Sequence, residues 1–180
     1  MGVDLGDYDN DGLLDIHVTN FSHDYNTLCH NTGDGYFFDD SFQAAIGDES
    51  YLFLGWGTGF QDFDKDGFID LFVTNGHVYP EVDVYPTDNS YAQRNLVFRN
   101  QGDGTFSEVD AGLAVETVGC GVAFADYDND GDIDVIVAGM NSTPALLRNA
   151  SETSETANWV GLRLVGRALI HSFCSCHGYC

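Results

Sequence analysis

The sequence predicts an all-β fold made of β-propeller blades, forming a partial propeller of about three blades. Three observations within the 180 residues support this prediction. A nine-residue acidic motif occurs three times, an apolar run follows each copy, and a second turn motif occurs further along the first two repeats. Such periodic self-similarity is typical of propellers and arrays, because each repeat is one structural unit.

The acidic motif has the pattern Asp-x-Asp-x-Asp-Gly-x-x-Asp and begins at Asp7, Asp62 and Asp126. The starts are 55 and then 64 residues apart, which is within the range of propeller repeats. Asp and Gly favour tight turns, so each copy is predicted to be a loop between two strands.

Strands are predicted on both sides of each acidic loop. The segments that follow the loops, 16–19, 71–74 and 135–138, are apolar and rich in β-branched residues. Gly-rich segments precede two of the loops, at 55–60 and 119–124, and fit strands that pack closely enough to need small residues. Each acidic loop therefore joins the two strands of a hairpin.

A second hairpin is predicted within each period. Segments 28–37 and 97–106 both place Asp-Gly between apolar runs, which is a strong hairpin signal. A third copy begins at 146–149 but lacks the Gly-Asp-Gly, which suggests that the array ends there. Two hairpins per period make a four-stranded blade, and we expect residues 1–150 to divide into repeats at about 2–54, 55–118 and 119–150.

The middle repeat carries an insertion of about 14 residues relative to the first, at 76–94. Long loops on repeat scaffolds are frequent positions for function, so this segment is a possible ligand loop. A structural lid or an extra hairpin that protects a sheet edge is an equally open interpretation. The candidate ligand residues are His77, Tyr79, Glu81, Asp83 and Tyr85.

The acidic loops have the chemistry of calcium sites. Calcium takes six to eight oxygen ligands at ~2.3 to 2.6 Å, and alternating Asp in a tight turn supplies them, together with a carbonyl at the seventh position. The pattern disfavours an EF-hand, whose twelfth position is Glu on a helix, whereas Val stands there in all three copies. We expect about three Ca²⁺ ions, with Mg²⁺ the weaker candidate and simple acidic turns the alternative. The predicted ligands are Asp7, Asp9, Asp11, Leu13, Asp15, Asp62, Asp64, Asp66, Phe68, Asp70, Asp126, Asp128, Asp130, Asp132 and Asp134.

The net charge of −23 arises from 29 acidic and 6 basic residues, while 43% of the residues are hydrophobic, as in a packed chain. Such a charge disfavours nucleic acid and anionic membranes as partners. No apolar run approaches the ~20 residues of a spanning helix. The first residues lack a basic and apolar leader, so an export signal, if present, is expected upstream.

The acidic loops resemble the FG-GAP/VCBS repeats of integrin-like β-propellers, and the resemblance covers about 2–150. Segments 75–83 and 93–100 resemble the cartilage acidic protein and ASPIC/UnbV family, and 158–166 resembles the opening of the ASPIC/UnbV module. Residues 151–166 are accordingly expected to start that module. Residues 167–180 depart from the family pattern and are interpreted as a truncated or frameshifted tail.

This resemblance implies a secreted protein, at the cell surface, outside the cell or in a periplasm, with several more blades upstream and no settled catalytic activity. We expect a calcium-binding scaffold for binding or adhesion to an extracellular protein or carbohydrate. The alternative is part of a secreted polysaccharide-acting enzyme. We assign no catalytic residue, because the clustered Asp side chains belong to the loops and the spacing shows no nucleophile arrangement.

Overall fold

The computed structural model describes residues 1–86, 88–111, 116–140 and 142–150, and it confirms the all-β fold class. These residues form three antiparallel sheets. The first sheet contains, in spatial order, β1 (Val3–Gly6), β2 (Asp15–Val18), β3 (Thr27–Asn31) and β4 (Phe37–Asp39). The second contains β5 (Gly55–Gln61), β6 (Asp70–Asn75), β7 (Leu96–Asn100) and β8 (Phe106–Glu108). The third contains β9 (Gly119–Ala125), β10 (Asp134–Gly139) and β11 (Ala145–Leu147).

Each acidic motif occupies the turn between the first two strands of its sheet. The ninth residue of the motif is the first residue of the second strand, and it pairs with the last residue of the first strand. The pairs are Gly6 with Asp15, Gln61 with Asp70, and Ala125 with Asp134. The three hairpins thus have the same register relative to their acidic turns.

The first and second sheets pack face to face and share a hydrophobic core, because alternate apolar residues of their strands point into the space between the two sheets. Phe98, Leu71 and Leu96 are fully buried there. The chain after β4 adds Ala44 and Ile46 to the same core, just before the short helix α1 (Gly47–Ser50). The first junction is therefore filled by residues from both sheets and from the connection between them.

The second and third sheets approach closely at their first strands. A Cβ on Gly57 would lie 2.8 Å from the backbone nitrogen of Val122, so only glycine permits this separation. Phe72, Val135 and Val137 form the buried centre of this junction. A cavity of about 580 Å³ lies between the two sheets and is lined partly by Phe63 and Leu147.

The insertion at 76–94 leaves the end of β6 and contains a 3-10 helix, Pro80–Asp83. It returns to β7 through a bridge between Gln93 and Thr117. Among the described residues, no helix is long and apolar enough to cross a membrane. The predicted module at 151–166 and the tail at 167–180 lie outside the described residues.

Candidate metal centres

The three acidic loops share one backbone conformation. Their sixth residue is glycine with φ near +90°, a left-handed geometry that side chains rarely adopt. The values are 89° at Gly12, 94° at Gly67 and 89° at Gly131. The fourth residue is also left-handed in every loop, with φ of 59° at Asn10, 58° at Lys65 and 62° at Asn129. The motif therefore specifies the turn as well as its charge.

The carboxylate at the first position organises each loop by accepting two backbone N–H groups. In the first loop, Asp7 Oδ1 accepts from Asp11 at 3.0 Å and Asp7 Oδ2 accepts from Gly12 at 2.9 Å. Asp9 accepts from the same Asp11 amide at 3.2 Å, and Asp11 accepts from Leu13 at 2.8 Å. The second and third loops repeat all four hydrogen bonds.

The carboxylate at the ninth position is buried and closes the loop onto the third strand of the sheet. Asp70 Oδ2 accepts the Phe63 N–H at 3.1 Å, and Asp70 Oδ1 accepts the Asn100 N–H at 2.9 Å. Asp15 and Asp134 make the equivalent pairs of hydrogen bonds. Burial raises the pKa of Asp70 to about 7 and raises the pKa of Asp15, because the charged form loses hydration. A bound cation would favour the ionised form of both groups.

Carboxylate oxygens converge in every loop. In each of three groups, one carboxylate oxygen per residue lies within 4.8 Å of the others. The first and third loops bring together the first, third and ninth positions, whereas the second loop brings together the first, third and fifth. The groups are Asp7, Asp9 and Asp15; Asp126, Asp128 and Asp134; and Asp62, Asp64 and Asp66. These are hard oxygen donors at a spacing that one divalent cation can bridge, so the donor set fits calcium.

The seventh-position residues, predicted as carbonyl ligands, lie next to these groups. The backbone N–H of Leu13, of Phe68 and of Asp132 donates to the fifth-position carboxylate of its own loop, at 2.8, 2.9 and 3.0 Å. The side chain of Asp132 has a different partner, since it pairs with Lys65 Nζ of the second loop at 2.5 Å. That carboxylate therefore links two loops.

Neighbouring loops are joined in series through their fourth residues. Asn10 Nδ2 of the first loop donates to the carbonyl of Gly67 in the second loop at 3.2 Å. Lys65 of the second loop reaches Asp132 of the third in the same direction. The loops therefore contribute contacts between sheets in addition to closing their own hairpins.

An asparagine after the third strand's basic or imidazole residue bonds to an acidic loop in every sheet, a contact not predicted from the sequence, and in two sheets that loop belongs to the neighbouring sheet. Asn100 Nδ2 donates to the carbonyl of Tyr8 in the first loop at 2.7 Å, and Asn149 Nδ2 donates to the carbonyl of Phe63 in the second at 2.8 Å. Asn31 occupies the equivalent place in the first sheet and donates to Leu14. The available signal was the recurrence of Asn after His or Arg at the end of the third strand.

The candidate ligand loop divides into one buried and four exposed residues. His77 is 5% exposed, its Nδ1 accepts the Tyr79 N–H at 3.1 Å, and its ring contacts those of Phe21 and Tyr79. Tyr79 and Tyr85 are 60% and 66% exposed. The remaining two, Glu81 and Asp83, are also exposed, and Asp83 accepts the backbone N–H of Tyr91. His77 thus holds the loop from inside, while the aromatic and acidic residues face outward.

Together, the stacked antiparallel sheets and the acidic turns define an all-β repeat protein. Residues 7–73 and 62–137 match the model of the FG-GAP-like repeat, so most of the chain is covered. The chain belongs to the FG-GAP-like repeat family. It is also similar to cartilage acidic protein 1 of Xenopus tropicalis, with 40% identity over 50 residues. That match covers 26% of this chain and 8% of the frog protein, so the chain spans a small part of this relative.

Proposed function

We propose that this chain is a calcium-stabilised part of an extracytoplasmic β-propeller that binds a protein or carbohydrate ligand. The observation that carries the calcium proposal is the threefold recurrence of one loop, with the same left-handed turn and the same carboxylate hydrogen bonds. Three filled sites would bring the net charge from −23 to about −17. Metal binding would also relieve repulsion among carboxylates that lie within 4.8 Å of one another.

Calcium suits these loops better than magnesium. Magnesium needs near-ideal octahedral geometry and keeps several waters, whereas calcium accepts carboxylates and carbonyls in irregular arrangements. Backbone N–H groups already hold one or more oxygens of the first, third, fifth and ninth Asp in the first loop, which restricts how far these oxygens can move. A cation that tolerates such restricted ligands is favoured.

Thermal unfolding of the 180-residue chain in excess calcium, in magnesium and in EGTA tests the calcium proposal. Each filled site should stabilise the fold by about 2.7 kcal/mol when calcium exceeds its Kd by about a hundredfold, because the unfolded chain lacks the site. The triple variant Asp9→Asn, Asp64→Asn and Asp128→Asn should lose most of this gain. A matched triple variant outside the acidic loops, Asp34→Asn, Asp48→Asn and Asp103→Asn, should keep it. Equal midpoints in calcium and EGTA for the wild-type chain would refute calcium binding.

A further repeat is proposed to pack on the first sheet. Asp4 and Gly6 of β1 face the second sheet, where Asp4 accepts the Phe60 N–H at 2.8 Å. The alternate residues of the same strand, Val3 and Leu5, are 64% and 56% exposed. The second sheet buries an apolar face of this kind against the first sheet. Another blade could cover the exposed face of the first sheet in the same way.

The ligand surface is proposed to be the outward side of the 76–94 insertion. Tyr79 and Tyr85 offer exposed aromatic rings, and Glu81 and Asp83 offer carboxylates beside them. Aromatic rings with nearby polar groups are frequent at sites that bind proteins. We propose that the surface binds without catalysis, since the carboxylates that converge in the described residues have backbone hydrogen bonds that hold their loops.

Protein and glycan arrays, probed with the wild-type chain and with Tyr79→Ala combined with Tyr85→Ala, test this surface. Any ligand that requires the insertion should lose at least about tenfold in affinity with the double variant. Two exposed aromatics elsewhere, Tyr36 and Phe38, replaced by alanine provide the matched control and should not reduce binding. Turnover of a polysaccharide by the wild-type chain would contradict the binding proposal and favour an enzyme.

The frog relative is named for cartilage, which suggests an extracellular setting for that protein, and for its acidity, which this chain shares. We propose the same setting here, and membership of the cartilage acidic protein and ASPIC/UnbV group within the wider family. Secretion of the complete gene product into the medium, or its retention at the cell surface, is the corresponding measurement.

A further inference from the structure

A basic or imidazole side chain stands beside each acidic loop at the same position of the fold. This residue lies near the end of the third strand of its sheet or directly after that strand. The next residue is the asparagine whose backbone N–H bonds to the ninth carboxylate. The three residues are His30, Arg99 and Arg148. Because the position recurs in all three sheets, its occupant can be compared between loops.

In the second and third loops the occupant is an arginine that binds the predicted metal ligands directly. Arg99 Nη2 lies 2.6 Å from Asp64 Oδ2 and 3.4 Å from Asp66 Oδ2. Arg148 Nε lies 2.8 Å from Asp128 Oδ2, and its Nη2 lies 2.8 Å from Asp130 Oδ2. Each guanidinium therefore bridges the third and fifth carboxylates of its loop.

The ion pair of Arg148 also shifts the pKa of both of its members. The Asp130 carboxyl has a lowered pKa because it accepts the Asp132 backbone N–H and the Arg148 side chain, and the Arg148 pKa is raised in return. A guanidinium keeps its charge throughout the physiological pH range. The positive charge beside these two loops is thus permanent.

The first loop has an imidazole in this place. His30 Nδ1 lies 3.4 Å from both Asp9 Oδ2 and Asp15 Oδ1 and has no hydrogen-bond partner among the described residues. A ring nitrogen of His30 also lies within 4.8 Å of carboxylate oxygens of Asp9 and Asp11, the third and fifth positions. His30 therefore occupies the place of the arginines but lacks the five donors of a guanidinium.

We propose that Arg99 and Arg148 are built-in counter-ions that hold the second and third loops when calcium is absent and that calcium must displace. This inference rests on the proposed calcium binding. A calcium ion and a guanidinium held by the same carboxylates repel each other, so calcium binding is expected to displace the arginine. In return, the arginine lowers the repulsion among the carboxylates of the empty loop. In the second and third loops, the arginines consequently lower the affinity for calcium and raise the stability of the calcium-free fold.

The test uses the full 180-residue chain with Arg99→Gln, with Arg148→Gln and with both changes. Calcium titration calorimetry at fixed pH and low salt should show one site per replaced arginine strengthened by roughly two- to fivefold, the range expected when an exposed ion pair is removed. The melting midpoint in EGTA should fall in the same variants. The control is Arg94→Gln, whose ion pair with Glu108 lies away from the acidic loops and whose loss should leave calcium affinity unchanged.

The outcomes separate this inference from the proposed function. If the wild-type chain binds no calcium, the proposed function fails and this inference fails with it. If the wild-type chain binds calcium but the variants bind it equally or more weakly, only the counter-ion role is refuted. An EGTA midpoint that stays the same or rises also refutes that role. Should a glutamine variant not fold, Arg99→Lys and Arg148→Lys retain the charge without the guanidinium, and each should bind calcium more tightly than wild type and melt at a lower midpoint in EGTA.

Discussion

The two ends of strand β6 differ in how their polar groups are held. At its start, Asp70 is buried and both carboxylate oxygens accept backbone N–H groups, as the equivalent residues do in the other two sheets. Past its end, the 76–94 insertion occurs in one sheet alone among the described residues and exposes Tyr79 and Tyr85. The repeated end is built from internal contacts, and the unique end exposes its side chains to solvent. Stability is therefore expected to depend on the first end and recognition on the second.

Replacement of the ninth carboxylate should have the largest effect on stability. Asp70→Ala leaves the N–H groups of Phe63 and Asn100 without an acceptor in a buried position, which should lower the free energy of unfolding by about 3 kcal/mol. Urea unfolding in EGTA measures this loss without a contribution from calcium. Asp83→Ala is the control from the insertion, because that carboxylate also accepts a backbone N–H but is exposed, and it should cost less than about 1 kcal/mol. Equal losses would remove the distinction between the two ends.

Close packing of the sheets gives the next effect. Gly57→Ala places a methyl group 2.8 Å from the Val122 backbone nitrogen, so the sheets must separate, and we expect a loss of about 2 kcal/mol in urea unfolding. The control is Gly121→Ala in β9, where an added Cβ meets no atom within 4 Å and where no loss above about 0.5 kcal/mol is expected. If Gly57→Ala caused no loss of stability, the second and third sheets would not need their close separation at Gly57 and Val122.

The junction of the first two sheets should also be sensitive to acid through His17. This side chain is fully buried, its Nδ1 lies 2.8 Å from Thr58 Oγ1, and its Nε2 has no hydrogen-bond partner among the described residues. Burial lowers the pKa of His17 from 6.5 to about 3. The unfolded chain then binds a proton at a pH where the folded chain does not, so stability is complete above about pH 6.5 and decreases as the pH falls toward 3.

At pH 5.5 this linkage should cost about 1.4 kcal/mol relative to neutral pH. The measurement is the difference in pH dependence between wild type and His17→Gln in excess calcium, which cancels the titration of other groups. An unchanged slope in the variant would show that His17 is not the group that titrates.

The smallest effect is expected in the insertion. Tyr85→Ser changes a side chain that is 66% exposed, so the free energy of unfolding should change by no more than about 0.5 kcal/mol. Thermal or urea unfolding decides between the two interpretations of this segment. A loss above about 1 kcal/mol would favour a structural lid, in which the insertion stabilises the sheets rather than binding a ligand.

Much of the fold and of the loops could be predicted because the relevant interactions are local. The motif places its glycine where the backbone is left-handed and its carboxylates within a few residues of the N–H groups that they accept. The hydrogen bond from Asn100 to the Tyr8 carbonyl could not be predicted, since it joins residues that are 92 positions apart. The sequence does repeat a His or Arg before Asn at this place, but the contact of Arg99 and Arg148 with their loops could not be predicted, because it joins residues that are distant along the chain.

The sequence by itself determined the class of fold, the positions of the three acidic turns and the location of the single insertion, because turn chemistry and apolar alternation act over a few residues. Only the tertiary structure decided how the turns connect. It placed Asn10 against the second loop, an arginine across each of two carboxylate groups, and His17 in a junction between sheets. These contacts depend on which faces of separate sheets meet, and that arrangement follows from packing of the whole core rather than from any local pattern.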